Sequence, residues 1–357
     1  MLKLGIFLCA AYSLWAGDFY MRYESMEHAR AGDEIVLKIG EQAGRKNVLL
    51  KLQNGLDIGF GDLMTLGDFY GIVGAPISSA PDLKSRRDRF TQAFNTFSAS
   101  LSSVEETKSI LAAIREGPLA LKDDQHRRWN CLTGGACSGY FWWLSPGRYL
   151  NLAEQDFDHF GDNAVKAYIA GHEAALSEAV KGNLGRAYAM DGFACHFLSD
   201  RFAAGHIRTP RDYLALNVTP AFVGSLLAGF MHDEENLAGV HVVNEYGDRW
   251  IAYGDERYQD PLNSTNKAMM LKALQASVDE VYLAYQTKQL PAKYQHLALL
   301  PMAVENGANG KVDIAPLFYW DRSAQKVMRR NNLGDARDYS WTADWYGWST
   351  LAKLKAM

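Results

Sequence analysis

Residues 194–206 read ACHFLSDRFAAGH and place two histidines and an aspartate in an otherwise apolar segment that favours a helix. His196 and Asp200 are four residues apart, so on an α-helix they lie on one face, about 6 Å apart along the axis. His206 follows six residues after the aspartate. Polar groups on the apolar side of a buried helix are costly without a partner. The segment therefore predicts either a His–Asp hydrogen-bonded pair that fixes a core or a metal site.

The sequence on both sides of this segment predicts a mainly α-helical, multi-helix domain. The two clearest helices cover 161–186 and 186–204, with Asp162 as the cap of the first and a break at Gly182 and Gly185. Further helical patterns follow the same spacing of apolar residues, at 91–116 (one or two helices), 219–236 and 265–289.

Other segments predict turns and a small amount of sheet. Thr219 is the expected N-cap of its helix, with Pro220 as the first helical residue. The stretch 238–254 is rich in β-branched residues in partial alternation and predicts a small β-hairpin. Residues 118–150 are expected to form a loop region.

The composition is that of an ordinary globular protein. The chain has 357 residues, of which 48% are hydrophobic and 22% charged. Its formal net charge of −4 gives no polyanion-binding signature, so a nucleic-acid partner is not favoured on charge.

The N-terminal residues 1–16 resemble a secretory signal peptide. One lysine precedes an apolar run that ends in small residues, with cleavage expected after Ser13 or Ala16. The alternative is a buried N-terminal helix. No later segment has eighteen consecutive apolar residues, so no membrane span is predicted. Because no repeat or low-complexity linker interrupts the chain, we expect a helical domain over 17–290 and an aromatic-rich C-terminal extension over 291–357.

The four cysteines favour an exported protein without sulfur-ligated zinc. Cys9 lies in the signal-like segment, and Cys131 and Cys137 flank a short glycine-containing loop. These two are predicted to form a disulfide in an oxidising compartment. Cys195 is then expected to be a buried free thiol. A sulfur-ligated zinc site needs more cysteines at closer spacing.

Further imidazole and carboxylate groups lie at the predicted ends of elements or in turns, where ligands can converge. They are Asp68 in LGDFYG, His159 in DFDHFG, His206 beyond the central helix, and His232 with Glu235 in MHDEEN. Nitrogen and oxygen ligands without sulfur suit a catalytic zinc site.

The spacing His-x3-Asp-x5-His at 196, 200 and 206 resembles the central motif of the bacterial zinc-dependent phospholipases C. This group includes the phosphatidylcholine-preferring enzyme and clostridial alpha-toxin, and single-strand-specific zinc nucleases are more distant relatives. With LGDFYG and MHDEENLAGVHVVNEYGDRWIAYGD, the chain looks most like a secreted branch from Gram-negative bacteria. The resemblance covers about residues 15–255.

The resemblance implies a set of zinc ligands. His159, His196 and Asp200 would share one metal, and Asp200 would bridge to a second. A further zinc would be held by His206, His232 and a later carboxylate, for which the family has His-x3-Glu. Here position 236 is asparagine, and we predict Glu235 instead, three residues after His232 on the same helical face. His241 and Glu245 match the spacing, but in extended structure they lie about 13 Å apart.

The resemblance also implies ligands and substrate contacts nearer the N-terminus. His28 would bind a zinc together with the terminal groups of Trp15, if cleavage occurred before that residue. The alternative is a solvated helix-surface histidine. Asp68 would be the general base and a metal ligand, with Asp62 as a rival. Phe69 would contact the choline group through its ring face, and the alternative for it is an ordinary core residue.

The expected function is that of a zinc-dependent phospholipase C with two to three zinc ions. It would hydrolyse the glycerol–phosphate ester of phospholipids, phosphatidylcholine first, at a membrane surface. We expect a secreted or periplasmic monomer. Two alternatives stay open, a zinc nuclease or other phosphodiesterase of the same fold, and a zinc-stabilised protein that binds lipid headgroups. The aromatic tail suits either a lipid interface or a core.

Overall fold

The computed structural model describes residues 25–40, 44–117, 119, 122–304 and 314–357. The predicted signal peptide and Trp15 lie outside the described residues. Within them the fold is mainly α-helical, as predicted. The thirteen α-helices are α1 (Ser25–Asp33), α2 (Phe60–Thr65), α3 (Leu83–Ser98), α4 (Val104–Arg115), α5 (Lys122–Leu132), α6 (Arg148–Glu154), α7 (Gly161–Val180), α8 (Leu184–Asp200), α9 (Ala204–Ile207), α10 (Arg211–Asn217), α11 (Ala221–Ala238), α12 (Ser264–Thr287) and α13 (Gly347–Lys355).

Eight short strands form three small antiparallel sheets in the described part of the chain. They are β1 (Leu49–Lys51), β2 (Asp57–Gly59), β3 (Val240–Val243), β4 (Arg249–Ala252), β5 (Met302–Ala303), β6 (Phe318–Asp321), β7 (Lys326–Arg330) and β8 (Trp341–Thr342). The strand orders are β1-β2, β4-β3-β5 and β6-β7-β8. The predicted hairpin is confirmed as β3–β4, with Val240 opposite Ala252.

Helix α8 lies at the centre of the molecule and packs against α7, α2 and α12. Each residue from Ala187 to Asp200 is buried, so this part of the helix has no solvent face. A helix buried all round is normally apolar throughout, and the polar residues of α8 therefore need partners inside the protein. Helix α7 can approach α8 closely because residue Gly171 has no side chain. A Cβ there would lie 2.5 Å from the Cβ of Ala194 on α8.

The termini of the central helices differ slightly from the prediction. Gly182 has a positive φ of 94° and lies between α7 and α8, whereas Gly185 is inside α8. Asp162 does not cap α7, because it lies in the first helical turn and Phe160 is the N-cap residue. Helix α11 begins one residue later than predicted, with Pro220 as its N-cap.

Residues 118–150 contain more helix than the predicted loop. The segment includes α5 and the start of α6, joined through a turn that the Cys131–Cys137 disulfide closes. The disulfide was predicted, and Cys195 is a buried free thiol as expected. No helix in the described ranges is both long and apolar enough to cross a bilayer.

The C-terminal extension packs against α11 through a shared core. Phe318 on β6 and Leu351 and Leu354 on α13 are buried together with Leu227 and Met231 of α11. The side chain of Arg330 on β7 is also buried, and its Nη atoms lie 3.0 and 2.7 Å from the Glu234 carboxylate of α11. Part of the tail's aromatic content is therefore core, while Tyr346 and Trp348 are 75% and 42% exposed.

Candidate metal centre

Five predicted ligands converge at the C-terminal half of α8. His28 comes from α1, Asp68 from the 3-10 turn Leu66–Asp68, and His159 from the 3-10 turn Phe157–His159, while His196 and Asp200 are on α8 itself. At most 5% of any of these residues is exposed. Two overlapping sets of three have ligand atoms within 4.8 Å of one another, His28–His196–Asp200 and Asp68–His159–His196. We call these five residues the central cluster.

The carboxylate of Asp200 lies between the histidines of the central cluster. Its Oδ1 is 3.4 Å from Nε2 of His28, whereas its Oδ2 is 2.8 Å from Nδ1 of His159 and 3.4 Å from Nε2 of His196. Nε2 of His196 is also 3.6 Å from Oδ1 of Asp68. The two oxygens of Asp200 therefore face different histidines, which is the placement that a bridging carboxylate requires.

The outer ring nitrogens of two histidines donate to fixed acceptors. Nδ1 of His196 donates to the carbonyl of Met64 at 2.7 Å. Nδ1 of His28 lies 2.8 Å from Oγ of Ser199, which itself donates to the carbonyl of Cys195 or His196, so His28 is the donor. In each neutral ring, Nε2 then carries a lone pair. That of His28 faces Asp200, and that of His196 faces Nδ1 of His159 at 2.9 Å as well as Asp200 at 3.4 Å. Outer hydrogen bonds of this kind orient histidines that bind metals.

His159 is oriented by a carboxylate that the sequence analysis did not identify. Its Nε2 lies 3.0 Å from Oδ1 of Asp156, and its Nδ1 faces Asp200. Burial opposes a charge on His159, but the carboxylates of Asp156 and Asp200 outweigh burial and raise its pKa to about 10. The sequence signal that could have identified Asp156 is its position three residues before the candidate ligand His159.

The electrostatics of the central cluster favour a bound cation. Burial raises the pKa of Asp200 to about 7, because a carboxylate is costly in a low-dielectric interior. Neighbouring Asp68 adds to this rise. A divalent cation would offset both the burial of the Asp200 carboxylate and its repulsion by Asp68, since the cation neutralises carboxylates that burial otherwise destabilises.

A second group, which we call the adjacent cluster, consists of His206, His232 and Asp255. Nδ1 of His206 donates to the carbonyl of His159 at 2.9 Å, and its buried Nε2 has no hydrogen-bond partner among the described residues. Nε2 of His232 lies 3.2 Å from Oδ2 of Asp255. Burial and the nearby His232 hold the pKa of His206 well below its usual value, so this ring is neutral and able to bind a metal.

The carboxylate of the adjacent cluster is Asp255, and Glu235 belongs to none of the clusters formed by the described residues. Oε1 of Glu235 instead accepts a hydrogen bond from Nε of Arg208 at 2.7 Å. Its position three residues after His232 turns it toward that arginine. Asp255 follows β4 and was missed because the β3–β4 hairpin, not helical spacing, brings it back to His232.

Asp68 lies in the central cluster, whereas its rival Asp62 does not. Oδ2 of Asp68 accepts a hydrogen bond from Oγ of Ser25 at 2.7 Å. Asp62 instead forms an ion pair with Arg115 at 2.6 Å. Phe69 is fully buried and stacks on Tyr149 with a ring-centre distance of 5.5 Å. Phe69 is thus a core residue, which was the alternative to the predicted contact with choline.

A small cavity reaches the edge of the central cluster. It has a volume of about 40 Å³ and is lined in part by Gly67, Asp156, His159 and Phe197. This is enough space for a water molecule. The cavity is therefore large enough for a water molecule beside the imidazole of His159, which faces Asp200.

We predict that Asp255 and Glu235 differ in their effect on metal content. Asp255→Asn is expected to lower the metal content by one equivalent, because the neutral amide binds a cation poorly. Glu235→Gln should retain that metal but lower the free energy of unfolding by about 3–5 kcal/mol, since it removes the charge partner of Arg208 from a buried site. Metal analysis and denaturant unfolding of both variants check this. Loss of metal from Glu235→Gln alone would reverse the assignment.

The donor set of the two clusters fits zinc. It combines imidazole nitrogens and carboxylates without sulfur, in buried positions with outer hydrogen bonds. The sets of three ligands leave room in a zinc coordination shell for water or substrate. In comparisons with known proteins, no family model, no curated protein and no solved structure matches this chain.

Proposed function

We propose that the protein is a zinc-dependent phosphoric diester hydrolase of the phospholipase C type. The observation that carries the proposal is the position of Asp200, whose two oxygens face His28 on one side and His159 and His196 on the other. Hydrolysis of a phosphodiester requires stabilisation of the negative charge on both the attacking and the leaving oxygen. Two neighbouring metals supply this stabilisation, and a carboxylate placed like that of Asp200 would bridge them.

The central and adjacent clusters would hold two to three zinc ions. Bound zinc would supply Lewis-acid stabilisation of the phosphoryl oxygens and would lower the pKa of a water molecule. Asp68 would accept a proton from the attacking water at Oδ1. The hydrogen bond from Ser25 to Oδ2 keeps that carboxylate in one orientation, which reduces the reorganisation needed in the transition state.

A phospholipid is favoured over a nucleic acid as substrate. The net charge of −4 gives little attraction for a polyanion. The exposed Tyr346 and Trp348 lie at the start of α13, the helix whose last turn carries Lys353 and Lys355. Exposed aromatic and basic side chains of this kind suit contact with lipid headgroups. Phosphatidylcholine is proposed as the headgroup on the resemblance to the zinc-dependent phospholipases C.

Export of the protein as a monomer to the periplasm or the medium forms part of the proposal. It is supported by the signal-like residues 1–16 and by the disulfide between Cys131 and Cys137. Disulfides persist mainly in oxidising compartments. A membrane surface would then be the site of action.

The proposal predicts chelator-sensitive hydrolysis of phosphatidylcholine. Purified protein is incubated with phosphatidylcholine vesicles and, separately, with single-stranded DNA, each with and without a zinc chelator. Release of phosphocholine and diacylglycerol only without chelator is expected, because the phosphoryl charge would be stabilised by zinc.

The other outcomes separate the alternative functions. Chelator-sensitive release of nucleotides with intact lipid would assign the protein to the nucleases. If zinc-loaded protein turned over neither substrate but bound the vesicles, a headgroup-binding role would replace the enzymatic one.

A further inference from the structure

A third group of ligand-type side chains lies apart from the two clusters and shares no residue with them. His172 on α7, Glu280 on α12 and His296 in the 3-10 turn Gln295–Leu299 have ligand atoms within 4.8 Å of one another. Both histidines are buried, and the side chain of Glu280 is 16% exposed. The proposed hydrolysis does not use these residues.

We propose that His172, Glu280 and His296 form a separate structural site for one zinc-class divalent cation. The site would join three elements, α7, α12 and the Gln295–Leu299 turn, through one ligand from each. Two histidines and one carboxylate are a donor set typical of zinc. This proposal does not depend on the proposed function.

The hydrogen bonds around His296 fix which of its ring nitrogens carries a proton. Oγ of Ser277 donates to the Asp191 carboxylate at 2.9 Å, so its single proton is used there. The hydroxyl of Tyr168, 2.8 Å from Oγ of Ser277, must then donate to that oxygen. Nε2 of His296, 2.5 Å from the hydroxyl of Tyr168, is therefore the donor of its pair. In the neutral ring, Nδ1 is left with a lone pair.

The same reasoning applies to His172. Its Nδ1 lies 2.7 Å from Oδ1 of Asp191, and because a carboxylate only accepts, Nδ1 carries the proton. Nε2 of the neutral ring then has a lone pair. Both lone pairs point at the same carboxylate, Nε2 of His172 at Oε2 of Glu280 and Nδ1 of His296 at Oε1.

The two ring nitrogens and the Glu280 carboxylate are all hydrogen-bond acceptors, and they face one another in a buried site. They therefore require positive charge between them. Two additional protons, one on each imidazole, would satisfy the geometry, and so would one divalent cation. A bound metal would take the place of those protons.

The longer of the two imidazole–carboxylate distances favours the cation. Nε2 of His172 is 3.3 Å from Oε2 of Glu280, longer than the roughly 2.7–2.9 Å of a hydrogen bond between an imidazolium and a carboxylate. Nδ1 of His296 is 3.0 Å from Oε1 of Glu280, a length that fits either a hydrogen bond or a shared cation. Two ligands at zinc-bond lengths in a tetrahedral shell lie about 3.4 Å apart. The outer contacts to Asp191 and Tyr168 resemble the hydrogen bonds that orient metal-binding histidines.

The test is the zinc stoichiometry of Glu280→Gln compared with the unaltered protein after equilibrium dialysis against Zn²⁺. The variant is expected to hold one equivalent less, because the amide removes the anionic ligand while keeping its size. The matched control is Tyr294→Phe, which removes only a hydroxyl that donates to Glu173 in the same region and should keep all the zinc. Equal zinc in Glu280→Gln and the unaltered protein would overturn the proposal.

A second measurement covers the case in which Glu280→Gln fails to fold. A variant with Asp200→Asn and His232→Ala, altered in both clusters used by the proposed function, should still bind at least one zinc through the intact His172, Glu280 and His296. If this folded variant bound no zinc, the third site would be excluded. Because both measurements count metal and not turnover, the outcome is independent of the phospholipase proposal.

Discussion

From the proposed function, replacement of Asp200 by asparagine is expected to reduce phosphodiester hydrolysis by at least about 1000-fold. The carboxylate oxygens of Asp200 lie 2.8–3.4 Å from ring nitrogens of three histidines. Asparagine keeps the volume but removes the negative charge and turns one acceptor into a donor. Loss of several kcal/mol of metal-dependent charge stabilisation corresponds to this drop in rate. The bound zinc should also fall by at least one equivalent.

The experiment measures zinc content and the hydrolysis rate of phosphatidylcholine for Asp200→Asn, with a circular dichroism spectrum to check folding. Asp158→Asn is the matched control. Asp158 is next to His159, but its carboxylate accepts backbone hydrogen bonds from Ile77 and Ser78 at 2.6 and 2.7 Å. The control should keep its zinc. Full zinc content and full activity in Asp200→Asn would show that this residue is not a bridging ligand.

The sequence predicted those parts of the site that depend on local geometry. His196 and Asp200 lie on one helical face because their spacing of four residues matches the helical repeat. Asp68 and His159 come from distant segments and were candidates because they lie at predicted element ends or in turns. His28 was a candidate only through the family resemblance, which also assigned the individual ligand roles. Asp156 was missed although it lies only three residues before His159. Asp255 was missed because the β3–β4 hairpin, which spacing along the chain does not encode, brings it to His232.

The fold was predicted best in the long helix-compatible segments. Helices α7, α8 and α12 were expected on that basis. The helix α5 within 118–150 was not, because its sequence KDDQHRRWNCL is mostly polar. The sheet β6-β7-β8 was also unexpected, since the aromatic residues of the tail do not alternate in a simple pattern. Phe318 of β6 and Val327 of β7 are buried in the same apolar core as residues of α11, which is remote from them in sequence.

These contacts predict that the C-terminal extension and the helical domain unfold together. Phe318→Ala is expected to lower the free energy of unfolding by about 3–5 kcal/mol, because it removes a fully buried ring and leaves a cavity. Phe318 lies in the same apolar core as Met231 of α11, and its backbone N–H contacts the Met231 sulfur at 3.3 Å. The destabilisation should therefore reach α11 as well as the sheet.

Native-state hydrogen exchange measures the stability of α11 and of the sheet β6-β7-β8 separately. In Phe318→Ala, the slowest amides of α11 and of β6-β7-β8 should lose protection by the same free energy, as expected for one cooperative unit. Tyr346→Ala is the control, because this aromatic side chain in the same tail is 75% exposed and its loss should cost under about 0.5 kcal/mol. Faster exchange in the sheet with α11 unchanged would instead mean that the tail is an independent unit. The boundary at residue 290 would then separate two domains.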